Sequence, residues 1–149
     1  PGLQLVVVGD GPLRPDLEAA VERHGAHEWI HLAGRLERSE LVGLYQKAWI
    51  VASASLAEGW GLTLTEAAAC GTPAVATDIS GHRSSVVDGV TGVLAPLERL
   101  GDTIADVLLD NERRALLASA ALERARTLTW DRVAVRMLEA LHTRVMAHR

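Results

Sequence analysis

Short apolar runs alternate along the chain with longer segments whose apolar residues recur at helical spacing. Residues 3–8 form such a run and are followed by a Gly-Asp-Gly-Pro turn, which is typical of a buried strand. Residues 13–24 then carry Leu13, Leu17 and Val21 with the period of a helix. By the same criteria the sequence predicts strands at residues 3–8, 29–32, 49–52, 74–76 and 92–94. Helices are predicted at residues 13–24, 39–48, 62–70 and 84–87, and from about residue 97 onward with a break near Trp130.

This alternation indicates the fold class. Strands that are apolar throughout and alternate with helices are typical of a parallel sheet covered on both faces. We therefore expect an α/β fold, with a Rossmann-like parallel sheet, helices on both faces, and C-terminal helices after it. The length of 149 residues fits a single domain over residues 1–149, with residues 130–147 as a terminal helix. The apolar stripe of that helix consists of Val133, Met137, Leu138, Leu141 and Val145.

Composition and charge narrow the functional classes. Apolar residues make up 48% and charged residues 23% of the chain, which is ordinary for a globular protein. The net charge of −4, without a run of lysine and arginine, argues against a nucleic-acid surface. The only cysteine, Cys70, excludes an internal disulfide framework and favours a reducing compartment, so a cytoplasmic location is expected. The histidines show no metal-ligand spacing, so no metal is expected.

The most informative segment carries two carboxylates, Glu58 and Glu66, on either side of a glycine-bracketed turn and a helix start. If the helix begins near Leu62, Glu66 lies away from the core stripe and near the helix N-terminus, where unpaired backbone N–H groups suit a phosphate. A ribose attached to that phosphate would reach the Glu66 carboxylate, which accepts hydroxyl hydrogen bonds. The alternative is a solvent-facing glutamate favoured by the helix dipole.

The glycines beside Glu58 also have a role in this interpretation. Gly59 and Gly61 allow backbone conformations closed to other residues and let a ligand approach closely. Trp60 between them is expected to anchor in the core rather than stack on a base. For Glu58 itself the alternative is a glutamate in a surface loop.

Four ordered segments carry a resemblance to a known family. They are Val8-Gly9-Asp10-Gly11-Pro12, Ile30 to Leu36, the segment from Glu58 to Pro73, and Val87-Asp88-Gly89-Val90-Thr91-Gly92-Val93-Leu94. In this order they resemble the C-terminal, donor-binding domain of retaining glycosyltransferases with the GT-B fold, of the group 1 or family 4 type. The resemblance runs from Leu3 to about Trp130.

The resemblance implies an activity and a set of site residues. Such enzymes move a hexose from a nucleoside diphosphate to an acceptor hydroxyl with retained configuration, and they need no cofactor or metal beyond the nucleotide sugar. Glu58 is the implied catalytic residue, and it binds hydroxyls of the donor sugar. The implied donor-binding residues are Glu58, Gly59, Gly61, Leu62, Thr63, Glu66, Gly9, Gly11, Arg35, Leu36 and Arg83. For Arg83 the alternative is a solvated loop arginine.

The resemblance also implies partners. The first strand of the domain and the N-terminal acceptor domain of such enzymes are expected to be missing from this chain, which reads as a piece cut from a longer protein. Peripheral membrane association of that protein and a homodimer through the exposed C-terminal helix are further expectations. Without its other half the chain is expected to bind donor weakly and not to turn over.

The sequence departs from the family pattern at one point, and rival functions stay open. Gly34-Arg35-Leu36 lacks the Lys-Gly that follows in the family's diphosphate motif, which is absent here. Gly9-x-Gly11 lacks the third glycine of a dinucleotide fingerprint, because Arg14 stands at that position. The rivals are a sugar-nucleotide epimerase or phosphorylase-like enzyme on the same fold, and a non-catalytic nucleotide-binding module.

Overall fold

The computed structural model describes residues 2–147, apart from the side chains of Val145 and Ala147. Pro1 therefore lies outside the described residues. The side chain of Val145, which belongs to the predicted apolar stripe, also lies outside them. The chain divides into two compact units with the boundary between Gly43 and Leu44. Each unit is described by itself, and the single domain over residues 1–149 stays a prediction.

Every predicted strand is present. The strands are β1 (Leu5–Val8), β2 (Ile30–Gly34), β3 (Val51–Ser53), β4 (Ala74–Thr77) and β5 (Gly92–Ala95). The helices are α1 (Arg14–Arg23), α2 (Arg38–Lys47), α3 (Leu62–Ala69), α4 (Ser80–Ser85), α5 (Leu100–Leu109), α6 (Asn111–Arg126) and α7 (Trp130–Ala147), with a 3₁₀ turn at Leu97–Arg99 before α5.

Two predicted helix starts are wrong. Helix α2 begins at Arg38, one residue before the predicted start at residue 39. The Glu40 carboxylate accepts the backbone N–H of Glu37 at 2.9 Å, which is the bond that an acidic residue in the first turn makes in a capping box. Helix α4 begins at Ser80, four residues before the predicted start at Ser84, so it follows β4 almost at once.

The sheets are parallel in both units. In the first unit β1 pairs with β2. In the second unit β4 lies between β3 and β5 and pairs in parallel with both. Because parallel strands end at the same edge, the segments after Ser53, Thr77 and Ala95 leave the sheet together.

The core of the second unit lies on both faces of β4. Val75 packs with Val93, Leu100, Val107 and Leu117 on one face. The other face has Ala74 and Ala76 against residues of α3 and the segment after α4, namely Leu64 and Val86. Successive side chains of a strand point to opposite faces, so these two clusters show that helices cover the sheet on both sides, as predicted.

The apolar side chains of helix α7 that the structure describes lie on the surface. Val133, Met137, Leu138 and Leu141 are all exposed, and Trp130 at its start is 86% exposed. The homodimer through this helix stays a prediction.

The placement of two adjacent leucines on α6 leads to a test of this core. Leu117 is 2% exposed and packs under β4, whereas Leu116 is 68% exposed. We expect Leu117→Ala to lower the free energy of unfolding by about 2–4 kcal/mol, because it leaves a cavity. Leu116→Ala, with the same loss of atoms on the same helix, should change it by no more than about 0.5 kcal/mol. Urea unfolding followed by circular dichroism measures both, and equal losses would contradict this description of the core.

Candidate functional site

The segment between β3 and α3 carries Glu58 at the carboxyl edge of the three-stranded sheet. Glu58 is exposed, and its Oε1 accepts a hydrogen bond of 2.9 Å from the Ser55 hydroxyl. Trp60 is 38% exposed, so the prediction that it anchors in the core is wrong. The segment therefore presents both side chains to solvent above the sheet edge.

Helix α3 orients Glu66 as the sequence predicted. Leu64 and Ala67 are buried, whereas Leu62, Thr63 and Glu66 are exposed. The N–H groups of the first turn, those of Leu62 and Thr63 among them, have no acceptor inside the helix. An exposed carboxylate thus follows an N-terminus that carries positive partial charge.

Gly61 is the residue from which α3 starts, and only glycine fits there. Its φ of +76° lies in the left-handed region. A Cβ at this position would also lie 3.0 Å from Cδ2 of His82 and 3.3 Å from Oγ of Ser85. Gly59, by contrast, has no atom within 4 Å of a Cβ, so packing does not require a glycine there. The role of Gly59 in ligand approach stays a prediction.

Helix α4 fixes the other side of the Glu58 segment. A Cβ on Gly81 would lie 2.2 Å from the backbone carbonyl oxygen of Glu58, so the two backbones are in direct contact. Gly81 is buried, and the following residue, His82, is 0% exposed. The backbone of Glu58 is therefore held against α4.

The sequence analysis missed His82 as part of this site. Its Nδ1 lies 2.8 Å from the carbonyl oxygen of Thr77, and its Nε2 lies 3.3 Å from the hydroxyl oxygen of Ser53. Ser53 and Thr77 are the last residues of β3 and β4. A histidine five residues after the end of β4, with hydroxyl residues ending two neighbouring strands, is the signal that could have found it.

Arg83 is the next residue, and an acidic partner holds its side chain. It donates to both carboxylate oxygens of Asp78, from Nε at 2.6 Å and from Nη2 at 2.8 Å. The hydrogen bonds from Arg83 lower the pKa of Asp78, against an opposing effect of burial, and the positive charge of Arg83 lowers it further. The contact of Arg83 with a phosphate stays a prediction.

Tyr45, near the end of α2, is electrostatically coupled to Glu66. Burial raises the pKa of Tyr45 above its ordinary value of 10.0, and the charges of Glu66 and Cys70 raise it further. The Thr72 hydroxyl donates to the backbone carbonyl of Tyr45. The phenol is therefore a neutral group beside the Glu66 carboxylate.

The remaining candidate residues lie in the first unit. Gly9 follows β1 with a φ of +119°, and its N–H donates to the carbonyl oxygen of Gly34 at 2.7 Å. Gly11 lines a cleft of about 380 Å³ at the carboxyl end of β1, and Arg14 lines the same cleft. Arg35 and Leu36 follow β2 directly. Arg14, which entered the sequence analysis only as the residue that breaks a glycine pattern, is thus a cationic residue of this cleft.

Two further properties concern the described chain only. Within residues 2–147 no cluster of three or more His, Cys, Asp or Glu side chains is arranged to hold a metal ion. Among the helices of the same residues, none combines the length and the apolar character needed to cross a membrane.

The contact of α4 with Glu58 leads to a prediction about Gly81. We expect Gly81→Ala to lower the free energy of unfolding by about 2–3 kcal/mol, since the added methyl overlaps a backbone oxygen. Gly101→Ala is the matched control, because no atom lies within 4 Å of its Cβ and it sits in helix α5. This control should be neutral or stabilising by about 0.5–1 kcal/mol. Equal melting temperatures for the two variants would contradict the close approach.

The coupling of Tyr45 to Glu66 predicts a pH dependence. Tyr45 is the only tyrosine, so tyrosinate absorbance reports on it alone. In the folded chain the midpoint should lie above 10.0, and Glu66→Gln should lower it. Because folding raises this pKa, the associated stability is complete below pH 10.0 and is lost as pH rises through the folded value. A folded midpoint equal to that of the denatured chain, or unchanged in Glu66→Gln, would contradict the arrangement.

The family model and the relatives that match this sequence indicate the same family. Residues 1–124 match the family model described as "Glycosyl transferases group 1". The D-inositol 3-phosphate glycosyltransferase of Xylanimonas cellulosilytica is 38% identical over 145 residues, which cover 92% of this chain and 34% of the relative. The enzyme of the same name from Mycolicibacterium smegmatis is 34% identical over 155 residues, covering 99% of this chain and 35% of the relative. The chain thus spans about a third of the length of these curated relatives.

Solved structures show the same fold. Sucrose-phosphate synthase from Thermosynechococcus elongatus superposes with a TM-score of 0.80 at 27% identity, covering 98% of this chain and 39% of that one. HepE of Anabaena, in a complex with UDP-glucose, superposes with a TM-score of 0.81 at 25% identity, covering 96% of this chain and 42% of that one. These neighbours are GT-B glycosyltransferases, and the fold is that of the C-terminal half of this architecture. On the family match and these identities, the chain belongs to the group 1 glycosyltransferases.

Proposed function

We propose that this chain is the donor-binding part of a retaining glycosyltransferase, which moves a hexose from a nucleoside diphosphate to an acceptor hydroxyl. The observation that carries the proposal is the placement of Glu58 and Glu66 around the start of α3. Glu58 is exposed before the helix, Glu66 is exposed on its solvent side, and the first N–H groups of the helix lie between them in sequence. No other described segment combines two exposed carboxylates with a glycine-initiated helix start.

The proposed contacts follow from the charges of the three groups. The N–H groups of Gly61, Leu62 and Thr63 suit the oxygens of a diphosphate. The Glu66 carboxylate accepts ribose hydroxyls, and the Glu58 carboxylate accepts hydroxyls of the hexose. Gly61 in its left-handed conformation provides the backbone turn from which this helix start follows.

The chemistry asks mainly for positioning and for charge stabilisation. The bond between the sugar and the diphosphate breaks, the acceptor oxygen forms the new bond on the same face, and the departing diphosphate takes the proton of the acceptor hydroxyl. Negative charge grows on the departing diphosphate, where the N–H groups of the α3 start stabilise it. Positive charge grows on the sugar ring, as in other glycosyl transfers, and we assign its stabilisation to the Glu58 carboxylate. Neither step requires a metal or a cofactor.

The similar proteins support this proposal. HepE of Anabaena was solved with UDP, with UDP-glucose, and with UDP and glucose. The curated relatives act on D-inositol 3-phosphate by name, and each is about three times as long as this chain. We assign donor binding to this chain and acceptor binding to a separate domain of the full enzyme. Gly9, Gly11, Arg35, Leu36 and Arg83 stay predicted donor contacts.

The two carboxylates should be separable by binding measurements with UDP and UDP-glucose. Glu66→Gln should weaken both ligands by about 1–3 kcal/mol, because both carry the ribose. Glu58→Ala should weaken UDP-glucose and leave UDP nearly unaffected, because only the former carries a hexose. Titration followed by amide chemical shifts measures the weak, roughly millimolar affinities that we expect for these ligands.

Glu112→Gln is the matched control, since it neutralises an exposed carboxylate in the first turn of another helix, α6. It should bind both ligands like the unaltered chain. Equal losses for both ligands in Glu58→Ala would show that Glu58 does not contact the hexose.

A further inference from the structure

A continuous series of polar side chains links a buried histidine to Glu58. Nε2 of His82 lies 3.3 Å from Oγ of Ser53, and Oγ of Ser53 lies 3.3 Å from Oγ of Ser55. The Ser55 hydroxyl then donates to Oε1 of Glu58 at 2.9 Å. At the other end, Nδ1 of His82 lies 2.8 Å from the carbonyl oxygen of Thr77. The series runs from the end of β4 to the exposed carboxylate.

The partners of the ring determine its tautomer. A carbonyl oxygen only accepts, so Nδ1 of His82 carries a hydrogen and donates it to Thr77. In the neutral ring Nε2 is then an acceptor. The single hydrogen of the Ser53 hydroxyl is directed either to this nitrogen or to Oγ of Ser55, so the ring and Ser55 share one donor. The Thr77 hydroxyl donates to the backbone carbonyl of Ser55, so the residue that orients the ring also fixes the backbone of the serine that holds Glu58.

We propose that His82 is a positioning residue for Glu58 and acts on it through Ser53 and Ser55. The proposal rests on the proposed function, in which Glu58 binds the hexose. His82 is 0% exposed, so it does not touch a ligand and can influence one only through other residues.

Two physical arguments favour this role over simple packing. Burying an imidazole is unfavourable unless both nitrogens have partners, so an apolar residue would fill the space under Gly61 with less cost. An exposed glutamate also loses side-chain freedom when it binds a ligand. A hydroxyl donor that already holds the carboxylate in the free protein lowers that loss, and His82 with Ser53 keeps the donor in place.

Two substitutions of His82 separate positioning from packing. His82→Asn places an amide near Nδ1 and keeps the Thr77 contact, but it is too short to reach Ser53. His82→Gln extends an amide toward the Nε2 position and keeps the Ser53 contact. Both variants lose one hydrogen bond of a buried ring, so a purely structural role predicts similar behaviour. We expect His82→Asn to bind UDP-glucose about threefold to tenfold more weakly, with UDP changed less than twofold, and His82→Gln to stay near the unaltered chain.

Ser55 gives a test that does not depend on a buried substitution. Ser55→Ala should weaken UDP-glucose about threefold to tenfold and spare UDP, and Ser55→Thr, which keeps the hydroxyl, should restore binding. In the Glu58→Ala background, Ser55→Ala should have no further effect, because there is no carboxylate to hold. Ser84→Ala, which removes an exposed hydroxyl on α4 that donates to the Ser80 carbonyl, should bind both ligands normally.

The outcomes distinguish this proposal from the proposed function. If Glu58→Ala leaves UDP-glucose affinity unchanged, the proposed hexose contact is wrong, and the positioning role of His82 is wrong as well. If Glu58→Ala weakens UDP-glucose but Ser55→Ala does not, or if the two losses add in the double variant, only the positioning role is overturned. Equal effects of Ser55→Ala on UDP and UDP-glucose would also overturn it.

Discussion

The second unit is organised by the burial of β4 on both faces. Its residues are Ala-Val-Ala-Thr, and their small side chains let neighbouring backbones approach closely. Among these four residues, only Val75 belongs to the cluster beneath α5 and α6. The small alanines on the opposite face leave room for Leu64 of α3. Leu64 thus packs α3 against this face of the strand. Thr77, at the end of β4, connects this core to the site, because its hydroxyl donates to Ser55 and its carbonyl oxygen contacts His82.

Local sequence patterns were sufficient to predict the strands and helices and to identify the buried face of α3. The spacing of Leu64 and Ala67 settles which side of α3 faces the sheet, so the exposure of Glu66 could be predicted from the sequence. Gly61 before the helix and Gly71 after it mark its ends because both adopt left-handed backbone conformations. The strands could be found for a similar reason, since a strand buried on both faces is an uninterrupted apolar run.

The parts that could not be predicted depend on contacts between distant residues. His82 is 29 positions from Ser53, and no local period relates the two. Trp60 was expected inside, but it is 38% exposed, and no local pattern in the sequence indicates on which side of the loop its ring lies. Arg83 was considered as an anion-binding residue without regard to Asp78, which lies five positions earlier and binds it from the end of β4. The resemblance supplied the site residues, whereas the arrangement of their supports needed coordinates.

Two tightly packed glycines, Gly61 and Gly81, restrict which positions around the Glu58 segment can vary. Gly61 accepts no side chain because of its backbone angle and the His82 ring, and Gly81 accepts none because of the Glu58 carbonyl. Trp60 and Leu62, on either side of Gly61 in sequence, are exposed in contrast. Under the proposed function, variation in donor preference is therefore confined to a few exposed positions, while the backbone that carries them stays constant. A mutational library built on this chain would find its functional diversity at those positions and almost none at the glycines.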